Sequence, residues 1–416
     1  MVGTSFLQVF FLALISFLFL YRLMRNKNGC PKSSPDELGD DMTCDPANAR
    51  YVMSSNFDNF PKGPEFKQML DALGDGILNS DMDLWKNQRI AAQASMRYHL
   101  VHQFLLRTTR DKVEMGLMPI IDHAAKHGFI INLKDIFQRF TFDSACILVT
   151  GYDPSWLSLE LPQVLFPKAM DDLEQAIFYR HVRPLCFTKL QKWLNIGQEG
   201  KYKKAWKVLD DVLAEYICQK RKEVKKLNQE LVSVDGVDLL TSYITEKEPT
   251  VKAKGGGYSN FKVDDVKNLV YLHGALCEVL RLYPPVPFNR KEPVKPDMLP
   301  SGHPVHPKAK ILFSVYSTGR MKSTWGEDFY EFKPERWIDE RGKIKHEPSY
   351  KFLSFGAGSR ICLGKETSFS QMKAVASALI YNYRIHVMEK SPVVPAVSII
   401  LHTENELMTR ITKRWE

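Results

Sequence analysis

The chain has 416 residues, more than a hormone, a lone zinc finger or a disulfide-stapled toxin needs, and enough to bury a sizeable core. Apolar residues at 44%, charged residues at 25% and 23 Gly with 23 Pro match globular averages, which argues against disordered, collagenous and coiled-coil chains. Lys and Arg outnumber Asp and Glu by 57 to 48, a net +9 without any dense basic block, so nucleic acid is not an expected partner and an acidic membrane surface or acidic protein is a better one.

In chain order, the first feature is an apolar run. Met1 to Tyr21 contains no Lys, Arg, Asp or Glu, and roughly 20 apolar residues at about 1.5 Å each cover the hydrocarbon thickness of a bilayer. Arg22, Arg25 and Lys27 follow at once. A cleaved signal peptide would carry its positive charge before the apolar run, and positive charge after it orients the rest of the chain to the cytosol. Residues 1–24 are therefore predicted to be an N-terminal membrane anchor, 25–41 a polar linker rich in Ser, Pro and Asp, and 42–416 the folded domain. No later segment is apolar enough to span.

From Met42 to Leu240 the apolar spacing is mostly helical, as in Leu105 to Met118 and Lys204 to Lys220. Lys247 to Phe261 holds a proline, three consecutive glycines and no apolar period, which predicts a loop. A helix is expected from Val263 to the prolines Pro284, Pro285 and Pro287, then short extended pieces, then a helix over about Leu363 to Tyr383. The fold class is mainly α with a small β portion. Cys30, Cys44, Cys146, Cys186, Cys218, Cys277 and Cys362 are odd in number, scattered and never paired as CxxC, which points to a reduced, cytosol-facing protein with thiols mostly used as core filler.

The most informative stretch runs from Phe355 to Gly364 and leads directly into that last helix. A thiolate holding a haem iron must stay ionised in dry surroundings, and the free N–H groups at a helix N-terminus stabilise such an anion. Cys362 stands where the helix would begin. Gly356, Gly358 and Gly364 let the backbone turn tightly and approach a flat macrocycle. Arg360, two residues before the sulfur, is placed to pair with a propionate, and Phe355 to limit water around the sulfur. Isolated histidines such as His273 and His386 are read as structural.

These residues fit the pattern FxxGxRxCxG at every fixed position, and the stretch resembles the haem-binding loop of the cytochrome P450 superfamily. Glu278-Val279-Leu280-Arg281 resembles the family's ExxR signature, in which i, i+3 spacing puts both charges on one helical face. Phe332 to Trp337 resembles the segment whose arginine, here Arg336, completes a three-way pair with them, a structural clamp. Trp85 and Arg89 resemble the WxxxR that hydrogen-bonds haem propionates, and Arg290, after the proline turn, is a fourth expected contact. Thr43 to Asn48, Gly74 to Ile77, Leu272 to Glu278 and Trp325 to Asp328 are similar to the plant midchain alkane hydroxylases, within the clan of fatty-acid and alkane hydroxylases. The resemblance implies haem b on Cys362, electrons from an NADPH-dependent P450 reductase, a hydrophobic substrate and anchorage on the endoplasmic reticulum. It implies oxygen insertion into long aliphatic chains, although close relatives couple phenols on alkaloids. The turn Pro395 to Ile400 resembles a substrate-pocket loop.

Two departures stand out. The long helix with an AGxDT-like acid and alcohol pair, which relays protons to bound oxygen in this family, should lie between Leu240 and Val263, and Thr241 and Thr245 do not fit it. The family's proline-rich hinge and first sheet strands are also not found before Met42. The expectation is thus an incomplete P450 fold, read either as a working monooxygenase or as a truncated haem-binding product without turnover.

Overall fold

The computed structural model describes residues 40–97, 99–230, 269–307, 309–388 and 393–415. Nine helices of ten residues or more occur among them: α1 Met82–Arg97, α2 His99–Lys112, α3 Met118–His127, α4 Leu133–Thr150, α5 Phe166–Val182, α6 Leu185–Leu194, α7 Gly197–Glu230, α8 Val270–Leu282 and α9 Lys365–Asn382. The strands are β1 Asp40–Thr43, β2 Ile130–Asn132, β3 Phe288–Lys291, β4 Asp297–Met298, β5 Pro304–Val305, β6 Lys310–Ser314, β7 Tyr383–Val387 and β8 Met408–Lys413. They form three small sheets, ordered β1-β6-β3, β2-β8-β7 and β4-β5. The protein is mainly helical with a small β portion, as its apolar spacing predicts.

Local chemistry sets several boundaries. The Asn132 side chain accepts from the Lys134 N–H and caps α4. α8 stops at Leu282 because Tyr283 precedes the Pro284-Pro285 pair and is driven out of the helical region. The predicted Leu105–Met118 helix is interrupted by one π-turn at Val113–Leu117, which joins α2 to α3.

Two apolar clusters bracket the segment that carries Cys362. One joins Val52, Phe60, Ile311, Phe313, Leu353 and Ala357. The other joins Cys277, Leu280, Trp325, Trp337 and Phe369, with Phe355 packed against it. The segment between Leu353 and Phe369 is therefore pinned at both ends, and what lies between is held by buried packing on two sides.

Three expectations need correction. A sheet strand does begin before Met42: β1 starts at Asp40, inside the predicted linker, and pairs parallel to β6 with Asp40 opposite Lys310 and Thr43 opposite Phe313. Asp-Asp is depleted in strands, so the sequence carries no strand signal there; the edge of the apolar β6 supplies the pairing. Second, the helix expected to begin at Val263 is described only from Val270. Third, the six described cysteines are all free, but only Cys146 and Cys277 are buried, while Cys186, Cys218 and Cys362 are exposed. The predicted anchor (1–24), the linker up to residue 39, the Lys247–Phe261 loop and the 240–263 interval lie outside the described residues. No described helix is long and apolar enough to cross a membrane.

Candidate functional site

The Cys362 loop is built from turns. A 3-10 turn at Leu353–Phe355 leads into Gly356 at φ +70° and Gly358 at φ +63°, a left-handed backbone that favours glycine. A Cβ on Gly358 would fall on the Met53 carbonyl oxygen and within 2.8 Å of Ser54 Oγ, so the loop can approach that segment only as glycine. The Cys362 N–H then donates to the Phe355 carbonyl at 2.7 Å, closing the loop. Gly364 stands at the N-terminus of α9, where a Cβ would lie 3.9 Å from Cys362 Sγ. Phe355 turns away from solvent, its ring 5.3 Å from that of Phe369. The loop thus offers an exposed thiol on a rigid turn at the mouth of a helix.

Beside it lies a half-buried cationic cluster. The Arg360 guanidinium stacks over the Trp85 ring at 4.3 Å and donates to Asp81 Oδ1 at 2.6 Å and the Ser80 carbonyl at 2.9 Å, but its Nε is buried with no partner. Arg89, one turn beyond Trp85 on α1, also has a buried Nε with no partner. Burial pushes Arg89 below the ordinary arginine range and the Cys362 charge pushes back, so the two lie within electrostatic reach. Trp85 is buried and its ring lies 5.3 Å from that of Phe57.

The fourth predicted contact, Arg290, also has a buried Nε with no partner, but the rest of its guanidinium is engaged. It binds Glu65 at 2.9 Å and lies 3.5 Å from Met69 Sδ. Its strand neighbour Lys291 is 2% exposed, with Nζ bonded to no group and set 5.2 Å from the Phe57 ring centroid. Burial, then the Arg360 and Lys62 charges, push Lys291 down to about 7, with Asp81 opposing. Strand side chains alternate between faces, so of two adjacent cations only one can face the cluster, and nothing in Asn289-Arg290-Lys291 says which. Lys62 completes the group, pushed to about 8 by burial and by Arg360.

Four buried donor atoms without partners, on Arg89, Arg290, Lys291 and Arg360, are costly, and the single carboxylate of Asp81 does not balance the cations gathered around it. The arrangement suits a ligand bearing carboxylates at its edge and a thiolate-bound metal, which is what the residues of haem's edge and centre would require.

Under this site lies the clamp. Glu278 and Arg281 on α8 are fully buried and joined at 2.7 and 2.8 Å. Arg336 reaches Glu278 at 3.4 Å and Asp328 at 2.9 Å. Arg281 also donates to the carbonyls of Gly319, Phe329 and Glu331. Sequence reasoning missed a fourth member: Trp337 Nε1–H donates to Glu278 Oε2 at 2.8 Å. A tryptophan directly after the arginine was the available signal, since a buried indole seeks an acceptor.

The remaining expected positions are more remote. The Pro395–Ile400 stretch lies in a hairpin closed by a Pro395–Thr403 bridge, with Ser398 donating to Glu174 on α5 at 3.1 Å and Ile399 packed against the α5 and α7 cluster. His273 stacks on Phe369 at 4.4 Å, and His386 lies on β7, far along the chain from the thiol loop. α7 ends at Glu230 and α8 starts at Val270, so the position of a proton-relay helix lies outside the described residues.

Comparison with known proteins agrees with this geometry. The cytochrome P450 family model matches residues 42–259 and 245–409, two stretches that share 245–259. The alkane hydroxylase MAH1 of Arabidopsis thaliana is 42% identical over 421 residues, covering 90% of this chain and 85% of the relative. Noroxomaritidine synthase of Narcissus aff. pseudonarcissus MK-2014 is 38% identical over 89% of this chain and 82% of its own length, and cytochrome P450 86B1 of Arabidopsis thaliana is 31% identical over 91% and 78%. With the thiol loop, the buried clamp and these matches together, the chain belongs to the cytochrome P450 family of oxidoreductases, the haem-thiolate monooxygenases.

Proposed function

We propose that the chain inserts one oxygen atom from O2 into an aliphatic or related hydrophobic substrate, with Cys362 as the residue that would hold the iron of haem b. The observation that carries this reading is the set of partnerless donors on Arg89, Arg360 and Lys291 beside an exposed thiol. Haem, when bound, supplies the chemistry of oxygen activation. Trp85, Arg89, Arg360 and Lys291 would hold its propionates. The glycines at 356, 358 and 364 would let the backbone lie close to the macrocycle, and Phe355 with Phe369 would limit water on the sulfur side once it is bound. The Glu278, Arg281, Arg336 and Trp337 clamp holds α8 and the 332–337 segment rigid behind that side, acting through position and not by touching the reacting atoms.

Of the two chemistries carried by relatives' names, alkane hydroxylation is favoured by the higher identity, 42% against 38%. The Pro395–Ile400 hairpin is the proposed substrate contact. Electrons would come from an NADPH-dependent P450 reductase, and residues 1–24 would anchor the protein in the endoplasmic reticulum membrane with residues 42–416 facing the cytosol, supported by Arg22, Arg25 and Lys27 after the apolar run.

A second reading, a haem-binding product without turnover, is favoured by one observation: the two matched stretches overlap at 245–259 and do not run on as one, where the sequence also lacks an acid and alcohol pair. Proton delivery to bound oxygen would then be missing. The experiment is the reduced, carbon-monoxide-bound spectrum of the purified chain and of Cys362→Ser. A thiolate-type Soret band lost in the variant supports the ligand assignment in either reading; the same band in Cys362→Ser sinks it. Substrate-dependent NADPH consumption with hydroxylated product supports the monooxygenase, and its absence in a chain that shows the band supports the second reading.

A further inference from the structure

Asp171 and Glu174 stand three residues apart on α5, so both carboxylates lie on one helical face. Opposite them is His402, on the returning arm of the hairpin closed by the Pro395–Thr403 bridge. Backbone bonds hold that arm in place: the Ala396 N–H donates to the His402 carbonyl at 2.9 Å and the Leu401 N–H to the Pro285 carbonyl at 2.7 Å. His402 Nε2 lies 3.9 Å from Asp171 Oδ1, and Nδ1 lies 3.7 Å from Glu174 Oε2. One ligand atom from each of the three residues falls within 4.8 Å of the other two.

The trio is arranged as ligands are, and not as a closed ion-pair cluster. Separations of 3.7 and 3.9 Å exceed hydrogen-bond length, so the imidazole closes on neither carboxylate. Nδ1 instead lies 3.0 Å from the Ile400 carbonyl, which can only accept, so Nδ1 carries the hydrogen and the neutral ring presents its lone pair at Nε2. A backbone carbonyl on the other ring nitrogen is what fixes the tautomer and orientation of a metal-binding histidine. Glu174 is oriented by the Ser398 hydroxyl, which donates to Oε2 at 3.1 Å. Lys134 faces the trio as well: its Nζ donates to the Thr403 carbonyl at 2.7 Å and stands 3.7 Å from Asp171 Oδ2. That cation does not balance two carboxylates, since burial, with Asp171 adding, raises Glu174 to about 7 against the opposing Ser398 and Lys134.

A mixed set of two carboxylates and one imidazole suits zinc and its first-row neighbours, whereas calcium and magnesium take oxygen ligands. Ligand bonds of about 2.0–2.2 Å put donor atoms roughly 3.4 Å apart around a tetrahedral zinc, so the trio closes by about 1 Å to bind one. The side chains have room for that movement, being 39%, 16% and 21% exposed at Asp171, Glu174 and His402. We infer that Asp171, Glu174 and His402 form a site for a divalent cation of the zinc type, bound through one oxygen of each carboxylate and His402 Nε2, with water in the remaining position. Its ligands come from α5 and from the hairpin, so the bound cation ties the one to the other. The Pro395–Ile400 turn of that hairpin is the proposed substrate contact, and the bearing of the tie on substrate rests on that assignment; the site itself does not.

The test is equilibrium dialysis of the full chain as purified against Zn²⁺, for the native sequence, His402→Ala and Glu174→Gln, with amide hydrogen exchange over the hairpin read by mass spectrometry in the same samples. The native chain should take up one equivalent that each variant binds at least tenfold more weakly. Zn²⁺ should also slow exchange in the hairpin severalfold in the native chain and in neither variant. Glu174→Gln keeps the side chain's size, so the test stands should His402→Ala fail to fold. Exposed thiols such as Cys186 and Cys218 also take zinc, so uptake alone does not suffice. Equal affinity in the native chain and the variants, uptake that leaves the hairpin's exchange unchanged, protection that persists in the variants, or no uptake below millimolar Zn²⁺ each overturn the site. Product formation is no part of the readout, so a chain that binds Zn²⁺ here without hydroxylating anything would sink the monooxygenase reading and leave the site standing.

Discussion

Replacing Glu278 by Gln keeps the side chain's size and deletes one charge where four segments meet. Its two oxygens accept from Arg281 at 2.7 and 2.8 Å, Trp337 Nε1 at 2.8 Å, the Lys333 N–H at 3.1 Å and Arg336 at 3.4 Å. Arg281 is equally buried and its other acceptors are backbone carbonyls, so in the variant a full positive charge is left without a counter-charge. Breaking one partner of such a pair costs about 3–5 kcal/mol, a factor of roughly 10² to 10⁴ in the unfolding constant and about a fifth or more of a typical native stability. Urea unfolding followed by tryptophan fluorescence reads this locally, because the Trp325 and Trp337 rings, 5.6 Å apart, pack in the clamp. The pH dependence adds a second reading. Burial pushes Glu278 up, but hydrogen bonds from Arg281, Trp337 and the Lys333 backbone prevail and hold it below the ordinary carboxylate range. A carboxylate depressed in the folded state stabilises above its unfolded pKa of about 4.3 and loses that contribution as pH falls through the folded value. The native chain should therefore lose stability in acid over a window that Glu278→Gln does not share. A loss below about 1 kcal/mol at pH 7 would refute the argument that the clamp's charge is what matters.

Lys291→Met should stabilise the haem-free protein, by removing a buried cation without a partner, while weakening haem retention about tenfold to a hundredfold, the worth of a charged hydrogen bond; thermal melts and haem transfer to apomyoglobin measure the two, and a change of the same sign in both would contradict the assignment. The haem-free native protein should also gain stability between about pH 7 and pH 10, because Lys291 is depressed to about 7 when folded and the unfolded chain binds more protons across that range; Lys291→Met should flatten the slope. Gly358→Ala should abolish haem incorporation through local misfolding, since its Cβ meets the Met53 carbonyl at a left-handed φ, and far-UV circular dichroism should show most helix retained. Glu174 is raised to about 7 by burial and by Asp171, with Ser398 and Lys134 opposing, so its ionisation costs stability as pH rises from about 4.3 to 7. Glu174→Gln should remove that decline in melting temperature, and an unchanged decline would show that other groups cause it.

Much of the site was legible in the linear sequence because its parts are local. The turn that presents Cys362 is written in glycines within ten residues of the sulfur, and the Glu278–Arg281 pair follows from i, i+3 spacing on one helix. The helix over Leu363 to Tyr383 was readable for the same reason: helical period and flanking turn residues act over neighbouring positions, and α9 spans Lys365–Asn382. Clamp residues 50 or more positions apart were reached only through the resemblance, which stands in for information that spacing does not hold.

What tertiary structure decided is which face of each segment turns inward. Arg290 and Lys291 are both strand cations, and only the β3–β6 register, with Arg290 opposite Leu312 and Lys291 opposite Ile311, sends one to Glu65 and the other to the Trp85 and Arg360 cluster. β1 exists because β6 offers an open edge, not because Asp40-Asp41 favours a strand. The partnerless atoms of Arg89, Arg360 and Lys291 are likewise invisible in sequence, since a donor is orphaned only when distant segments bury it without answering it. Sequence alone pointed to the class of chemistry and to a candidate sulfur; the packed chain decided which cations lie near that sulfur, because burial and pairing are properties of segments brought together from hundreds of residues apart.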